Sequence, residues 1–323
     1  MIEITAKSGI PLLGTLWFGI IDRGTNLLQV RPISACNLMC AYCSTSSNNL
    51  NMHPNEFVVE LDYLLKYVKY AIDFKGENVI IFIDSVGETL LYPKMIELIK
   101  GIKKYGKTKE IVIITNGTLL TKEKIQELKK AGLDRINLSI NALDGSVAKD
   151  LSGTNWYDIK KMIDIVKEIK KSGLGLLLTP VWIPNINDQE IKKLIDLSKE
   201  LDYGIAIQKY EEYKCSRKVK GSKDLTWWKF YEQLHKWEKE FGIKLKIASK
   251  EFGIEKRERI LTPIKKGERI SCVIRSPGWF KDQMIGVTRD RSISINNCKA
   301  KVGDKVIVKI IDDKNGIYIG VCI

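Results

Sequence analysis

The residues best equipped for chemistry are three cysteines, Cys36, Cys40 and Cys43, spaced C-x3-C-x2-C within RPISACNLMCAYCSTSS (31–47). They follow the apolar run Leu27-Leu28-Gln29-Val30, which places them on a loop leaving a buried strand. Thiolate is the softest protein ligand, and thiolate sets select iron–sulfur clusters or zinc. A closed zinc site or a fully ligated cluster needs a fourth protein ligand, whereas a cubane held by three cysteines leaves one iron open. Two other readings stay open on spacing alone. One is zinc held by Cys36, Cys40, Cys43 and His53. The other is a redox-inert knot, since free cysteine often behaves as a small buried hydrophobe.

The elements that must position this loop are legible from periodicity. After Pro54-Asn55-Glu56, the segment 57–74 keeps its apolar residues Val58, Leu61, Leu64, Leu65, Val68 and Ala71 at helical spacing. Continuous apolar runs then alternate with amphipathic segments. Strands are expected at 79–83, 110–114, 135–140, 174–181 and 204–208, and helices at 93–105, 122–131, 156–172 and 188–201. That alternation is the mark of a parallel sheet with crossover helices. About six such units between 27 and 212 predict an open, partial (β/α)6 barrel, a fold that places its chemistry at the carboxyl ends of its strands.

Next comes a basic linker with Lys214, Arg217, Lys218, Lys220 and Lys223, followed by an aromatic-rich amphipathic helix over 226–241. That helix is expected to pack outside the barrel in preference to forming a base-stacking platform. From 258 the pattern changes to short strands at 270–274, 283–287, 292–295, 305–311 and 316–323. Gly303-Asp304 and Asn315-Gly316 are turn signals, the second of hairpin type. Five strands in so short a tail predict a small OB-like β-barrel. The expected organisation is N-terminal strands and turns (1–26), a core with a helical extension (27–257) and the small barrel (258–323).

The cysteine spacing, with the aromatic Tyr42 before the last cysteine, resembles the radical S-adenosylmethionine (radical SAM) superfamily. The resemblance implies that Cys36, Cys40 and Cys43 ligate a 4Fe–4S cluster. The cluster's open iron would chelate the methionine moiety of S-adenosylmethionine, and its electron would release a 5′-deoxyadenosyl radical. Tyr42 would lie near the adenine. Later strand ends carry further matches. Asp84-Ser85-Val86-Gly87-Glu88-Thr89 is similar to the family's G-G-E-P segment, with Val86 and Thr89 departing from it, so Gly87 and Glu88 would hold the methionine ammonium. Thr115-Asn116-Gly117 matches T-N-G. Leu138-Ser139-Ile140-Asn141-Ala142 resembles L-S-[IV]-D-A, with Asn141 in place of Asp; Ser139 and Asn141 would meet the ribose hydroxyls. Gln208, at the sixth strand end, is assigned to the adenine or substrate side. No catalytic side chain beyond these is assigned. The run 302–308 and the closing strand make the tail resemble a TRAM domain, an RNA-binding module of RNA-modifying enzymes.

Among the remaining cysteines, Cys215, Cys272, Cys298 and Cys322 show no C-x2-C pairing, and Cys215 alone has basic neighbours that favour a reactive thiol. A formal charge of +14 fits a polyanionic partner, and residues 258–323 hold 13 Lys/Arg against 7 Asp/Glu. A Lys/Glu/Ile-rich composition is equally a habit of thermophile proteins. No apolar run reaches the roughly 18 residues of a membrane span. The stretch 10–21, broken by Pro11, Gly14 and Gly19, is read as strand and turn with no signal peptide. A cytoplasmic location is expected. The function expected is radical modification of RNA, tRNA first, with electrons from a donor such as ferredoxin or flavodoxin. The alternatives are a radical SAM enzyme acting on a protein or small metabolite, and a non-catalytic zinc-bearing RNA-binding protein.

Overall fold

Apolar runs without a polar face must be covered on both sides, and here they become short strands flanked by helices that each bury one stripe. The computed structural model describes residues 1–323. In chain order the elements begin with β1 (Ile2–Ile4), β2 (Gly19–Asp22), β3 (Leu27–Arg31), β4 (Phe57–Val59), α1 (Leu61–Lys75), β5 (Val79–Ile83) and α2 (Met95–Lys104). They continue with β6 (Thr108–Thr115), α3 (Lys122–Ala131), β7 (Arg135–Leu138), α4 (Gly145–Ser152), α5 (Ile159–Ser172), β8 (Gly175–Leu178) and β9 (Val181–Trp182). Then come α6 (Asp188–Glu200), β10 (Gly204–Ile205), β11 (Gln208–Lys209) and α7 (Trp227–Phe241). The chain closes with β12 (Arg269–Pro277), β13 (Met284–Thr288), β14 (Arg291–Asn296), β15 (Lys305–Asp312) and β16 (Ile319–Cys322). No helix is long and apolar enough to cross a membrane.

Two compact units result, one of Met1–Cys36, Asn48–Ile111 and Ile254–Ile323, the other of Asn37–Ser47 and Val112–Gly253. In the first, β2 pairs antiparallel with β3, and β3 pairs parallel with β5, Leu27 opposite Ile80. The tail of this unit closes into a five-stranded barrel, β12-β13-β14-β16-β15, around Ile274, Ile293, Ile295 and Val308. Residues 11–15 share that unit and lock onto β14. Ser292 donates its Oγ to the Pro11 carbonyl (2.6 Å) and its amide to the Leu13 carbonyl (2.8 Å). A Cβ on Gly14 would fall 2.2 Å from the Ser292 carbonyl oxygen, so only glycine fits there.

A buried ion pair secures the approach to the barrel. Lys75 at the end of α1 meets Asp22 at 2.7 Å, their side chains 0% and 4% exposed. Lys75 also donates to the Glu258 carbonyl, and Asp22 accepts from the Ile260 amide. Removing one partner of a buried pair leaves the other charge desolvated and costs about 3–5 kcal/mol. Asp22→Asn is therefore expected to lower the urea midpoint sharply. A midpoint equal to wild type would show that Lys75 finds compensation elsewhere.

In the second unit β6, β7, β8 and β10 pair in parallel, Val112 opposite Arg135 and Arg135 opposite Gly175, with α3, α5 and α6 between them in sequence. A mostly parallel sheet alternating with helices is what the periodicity predicts. Several boundaries differ. Phe57–Val59 pairs with β1 as a strand, and the helix starts only at Leu61: the alternating burial of Phe57, Val58 and Val59 is period two. The expected helix at 156–172 starts at Ile159 because Asp158 caps it, accepting from the Lys160 and Lys161 amides. The expected strands at 174–181 and 204–208 are each broken in two, as β8/β9 and β10/β11. Helix α4 was not anticipated, because it is short and opens on Gly145-Ser146; its Asp144 N-cap and left-handed Gly153 C-cap were the available signals. β15 and β16 form the expected hairpin, but Asn315 and Gly316 (φ 59° and 69°) sit in a 3-10 turn over Lys314–Gly316, so the closing strand starts at Ile319 and not at 316.

Candidate functional site

Each end of the cysteine loop is held by side chains from strand-end loops. In the first unit, the loop after β5 grips the approach to Cys36. Ser85 Oγ donates to the Ile33 carbonyl (2.6 Å), and the Glu88 amide donates to the Ala35 carbonyl (2.7 Å). A Cβ on Gly87 would lie 2.0 Å from that same Ala35 oxygen. Glu88 is buried, and its carboxylate caps the turn that follows by accepting from the Leu90 amide at 2.9 Å. The buried Arg31–Asp84 pair, 2.8 Å, fixes the ends of β3 and β5 behind it.

In the second unit, the loop from Asn37 to Ser47 is fastened at three places. Asn116 donates its Nδ2 to Asn37 Oδ1 (2.9 Å), and Thr118 completes the triangle with both. The unanticipated α4 supplies the second fastening. Met39 and Ala41 amides donate to the Ser152 and Leu151 carbonyls, and Gly153 admits Met39 so closely that a Cβ would sit 2.1 Å from its carbonyl. The third is Arg217, whose guanidinium donates to the carbonyls of Cys40 (3.2 Å), Ser46 (3.4 Å) and Ser47 (2.6 Å) while its amide donates to the Cys43 carbonyl (2.9 Å). From the sequence Arg217 looked like one cation of a basic linker, and nothing local distinguishes it. Arg217→Ala is expected to lower the iron bound per chain at least severalfold while Arg217→Lys, lacking the planar fork, rescues little. Equal iron in the alanine variant would remove Arg217 from the clamp.

Beside Cys40 the second unit has a small pocket lined by Cys40, Tyr42, Asn116, Ser139, Asn141 and Tyr157 among others. The structure thus brings four of the expected cofactor residues to one cavity with one of the cysteines. Asn141 donates to the Tyr42 hydroxyl (2.6 Å) and accepts from the Val181 amide (2.7 Å), so its side chain orients Tyr42 while forming the wall. Behind it, the buried Asn187, missed in the sequence, ties the Asn141 and Val181 carbonyls together (3.0 and 2.9 Å). Ser139 Oγ lies 3.4 Å from Thr179 Oγ1. Gln208 is exposed, bonds the Ala206 carbonyl and does not line the cavity.

The chemistry of three thiols on one loop suits an iron–sulfur cluster, although Cys36, Cys40 and Cys43 are not drawn together as a preformed site. Cys36, Cys40 and Cys43 are free thiols of intermediate exposure. Burial pushes the Cys40 thiol up to about 11, against the opposing hydrogen bond with Tyr42 and the charge of Arg217. A thiol so desolvated ionises when a bound metal supplies the counter-charge. No group of three His, Cys, Asp or Glu side chains is gathered as a ready-made metal site. His53 is core: its ring stacks on Trp279 at 3.6 Å and 11° and is 2% exposed. Three of the other cysteines lie in the barrel, Cys322 donating to Cys298 Sγ at 3.1 Å and Cys272 buried with its thiol pushed up to about 11 by desolvation. Cys215 contributes its carbonyl to Ser46 Oγ (2.7 Å).

Residues 30–198 match the family model described as the Radical SAM superfamily. An uncharacterized protein of Methanocaldococcus jannaschii is 37% identical over 96% of this chain and 78% of its own length. The GTP 3′,8-cyclase of Helicobacter pylori is 32% identical over 63% of this chain, which spans 61% of the cyclase. Among solved structures, Streptococcus suis SuiB bound to S-adenosylmethionine superposes with a TM-score of 0.54 at 19% identity, covering 75% of this chain and 52% of SuiB. That likeness concerns the fold.

Proposed function

The chain belongs to the radical SAM superfamily, and from that premise we propose that it modifies RNA, with tRNA the first substrate class. Its cofactors are a 4Fe–4S cluster and S-adenosylmethionine. Bound together, they supply one-electron cleavage of the sulfonium and radical chemistry at an unactivated carbon. The protein's own part is to hold, orient and exclude water. We assign Cys36, Cys40 and Cys43 to the cluster. The polar wall of the cavity, Tyr42, Asn116, Ser139 and Asn141, suits the adenosyl group, because amide and hydroxyl groups can both donate and accept. Gly87 and Glu88 are assigned to the methionine group on their motif, and Gln208 to the outer, substrate side. Family members take electrons from a reductant; a ferredoxin or flavodoxin is the donor assigned here.

One observation carries the RNA reading. On the outer face of the barrel, Arg269 of β12 stands directly opposite Lys309 of β15, and Lys305 stands opposite Val273 on the same strands. All three cations are exposed, and none has an acidic partner. Like charges directly opposite each other on a sheet repel, so such a strip suits a polyanion that neutralises it. The strand order, with β14 parallel to β16, fits the Greek-key OB-like barrels to which a TRAM-like module belongs. We expect R269E/K309E to weaken binding of deacylated tRNA and to flatten its salt dependence by about two units of slope. Binding and slope equal to wild type would exclude the strip from RNA contact. The similarity to GTP 3′,8-cyclases favours a second reading, a small nucleotide substrate. Its signature is 5′-deoxyadenosine formation stimulated by a nucleoside triphosphate and indifferent to tRNA.

A further inference from the structure

An amphipathic helix needs one apolar face, and α7 has more aromatic surface than that face uses. Phe230, Leu234 and Trp237 are buried, with Trp182 packed on Phe230 (5.9 Å) and Trp237 (4.9 Å). Trp227, Trp228 and Tyr231 remain 51%, 70% and 47% exposed. At about 100° per residue, these three and the exposed His235 fall along one flank of the helix. Three large exposed aromatics within five residues form an apolar patch that a free surface does not explain.

We propose that this flank of α7 is a stacking platform for the unpaired bases of an RNA strand. Trp228 offers the open ring, and its neighbours are held in place. Trp227 and Tyr231 lie nearly parallel, 28° apart with centroids at 5.8 Å. Lys209 sits 5.6 Å over the Trp227 ring and is steadied by Asp224 at 3.1 Å, while Trp228 packs against no other ring. Cations are frequent in the chain just before and within the start of α7. Lys214, Lys220, Lys223 and Lys229 are exposed and have no acidic partner, whereas Lys218 is paired with Glu212 and Arg217 is committed to the cysteine loop. The only large exposed apolar residues of α7 are these aromatics, and no aliphatic accompanies them as a protein-docking ridge would require. Aromatic faces interleaved with unpaired lysines match a single strand, whose bases stack while its phosphates are neutralised. A duplex, with its bases already stacked, offers no such face.

This inference rests on the RNA reading, and the test separates the two. Fluorescein-labelled oligouridylate and an RNA duplex of equal length are titrated with full-length wild type, W228A, W228F and R269E/K309E across a range of salt. Wild type should bind the oligouridylate with quenching of tryptophan emission. W228A should weaken that binding about tenfold, the loss of one stacked base, with its salt slope and its duplex binding unchanged. W228F should recover most of the affinity. If W228A binds like wild type while R269E/K309E does not, the platform is wrong and the RNA reading survives. Equal losses for strand and duplex also overturn it. If wild type binds neither RNA, both readings fall together.

Discussion

Replacing Cys40 with alanine is expected to abolish S-adenosylmethionine cleavage while leaving the fold intact. The loop's backbone bonds do not use the Cys40 side chain, whose contact there is the hydrogen bond with Tyr42: the Cys40 carbonyl accepts from the Cys43 amide and from Arg217, and both bonds survive the change. What disappears is one of three thiolates, and with it a stable cubane. Anaerobic reconstitution with iron and sulfide should yield brown wild-type protein. The variant should hold little iron and form 5′-deoxyadenosine at background level under dithionite. Cleavage retained in Cys40→Ala would refute its assignment as a ligand. Colourless wild type with stoichiometric zinc would instead revive the zinc-bearing reading.

Gly87→Ala should be nearly as damaging, by a route through backbone. A Cβ at this position would lie 2.0 Å from the Ala35 oxygen and 2.8 Å from that of Ser34, and both atoms belong to the main chain leading into Cys36. Neither can rotate away as a side-chain tip would. Forcing atoms into a packed site costs about 1–3 kcal/mol, occasionally more, and here the strain is released by moving the first cysteine. The expected result is a lower melting midpoint together with a loss of iron that added S-adenosylmethionine does not restore. A variant that keeps full iron and loses only affinity for S-adenosylmethionine would place Gly87 in ligand contact without a role in the loop.

These effects bear on what could be seen beforehand. Cys40, Tyr42, Asn116, Ser139 and Asn141 were legible because each lies on the loop or just past a strand with a strong apolar signature, and strand ends are where such folds put their chemistry. The parallel strands were legible for the same reason. The residues that hold the site were not. Arg217 acts through carbonyl oxygens 170 to 177 positions away, and a guanidinium among lysines gives no local sign of that. Asn187 does its work between β7 and β9, and Gly153 is required by the Met39 carbonyl. Glu88 and Asn141 were read as ligand contacts; the structure adds capping of Leu90 and orientation of Tyr42, roles that depend on distances no spacing rule contains. Phe57–Val59 shows the converse error, where three residues fit a helical pattern by chance and a strand partner at the far N-terminus decided the matter.

The lock between residues 11–15 and β14 has a kinetic consequence. Ser292 and Pro11 are 281 positions apart, and Thr15 and Ser294 are 279 apart. Contacts of such long sequence separation carry a high loop-closure cost and form late. On the ribosome, the apolar stretch from Ile10 to Ile21 is made well before its partner on β14, 281 positions separating Pro11 from Ser292. At roughly 5–20 residues per second it waits many seconds in a partly covered state. Until β14 has been made, the apolar face of residues 11–15 stays open to association with other chains, and pairing with Ser292 and Ser294 is the event that covers it.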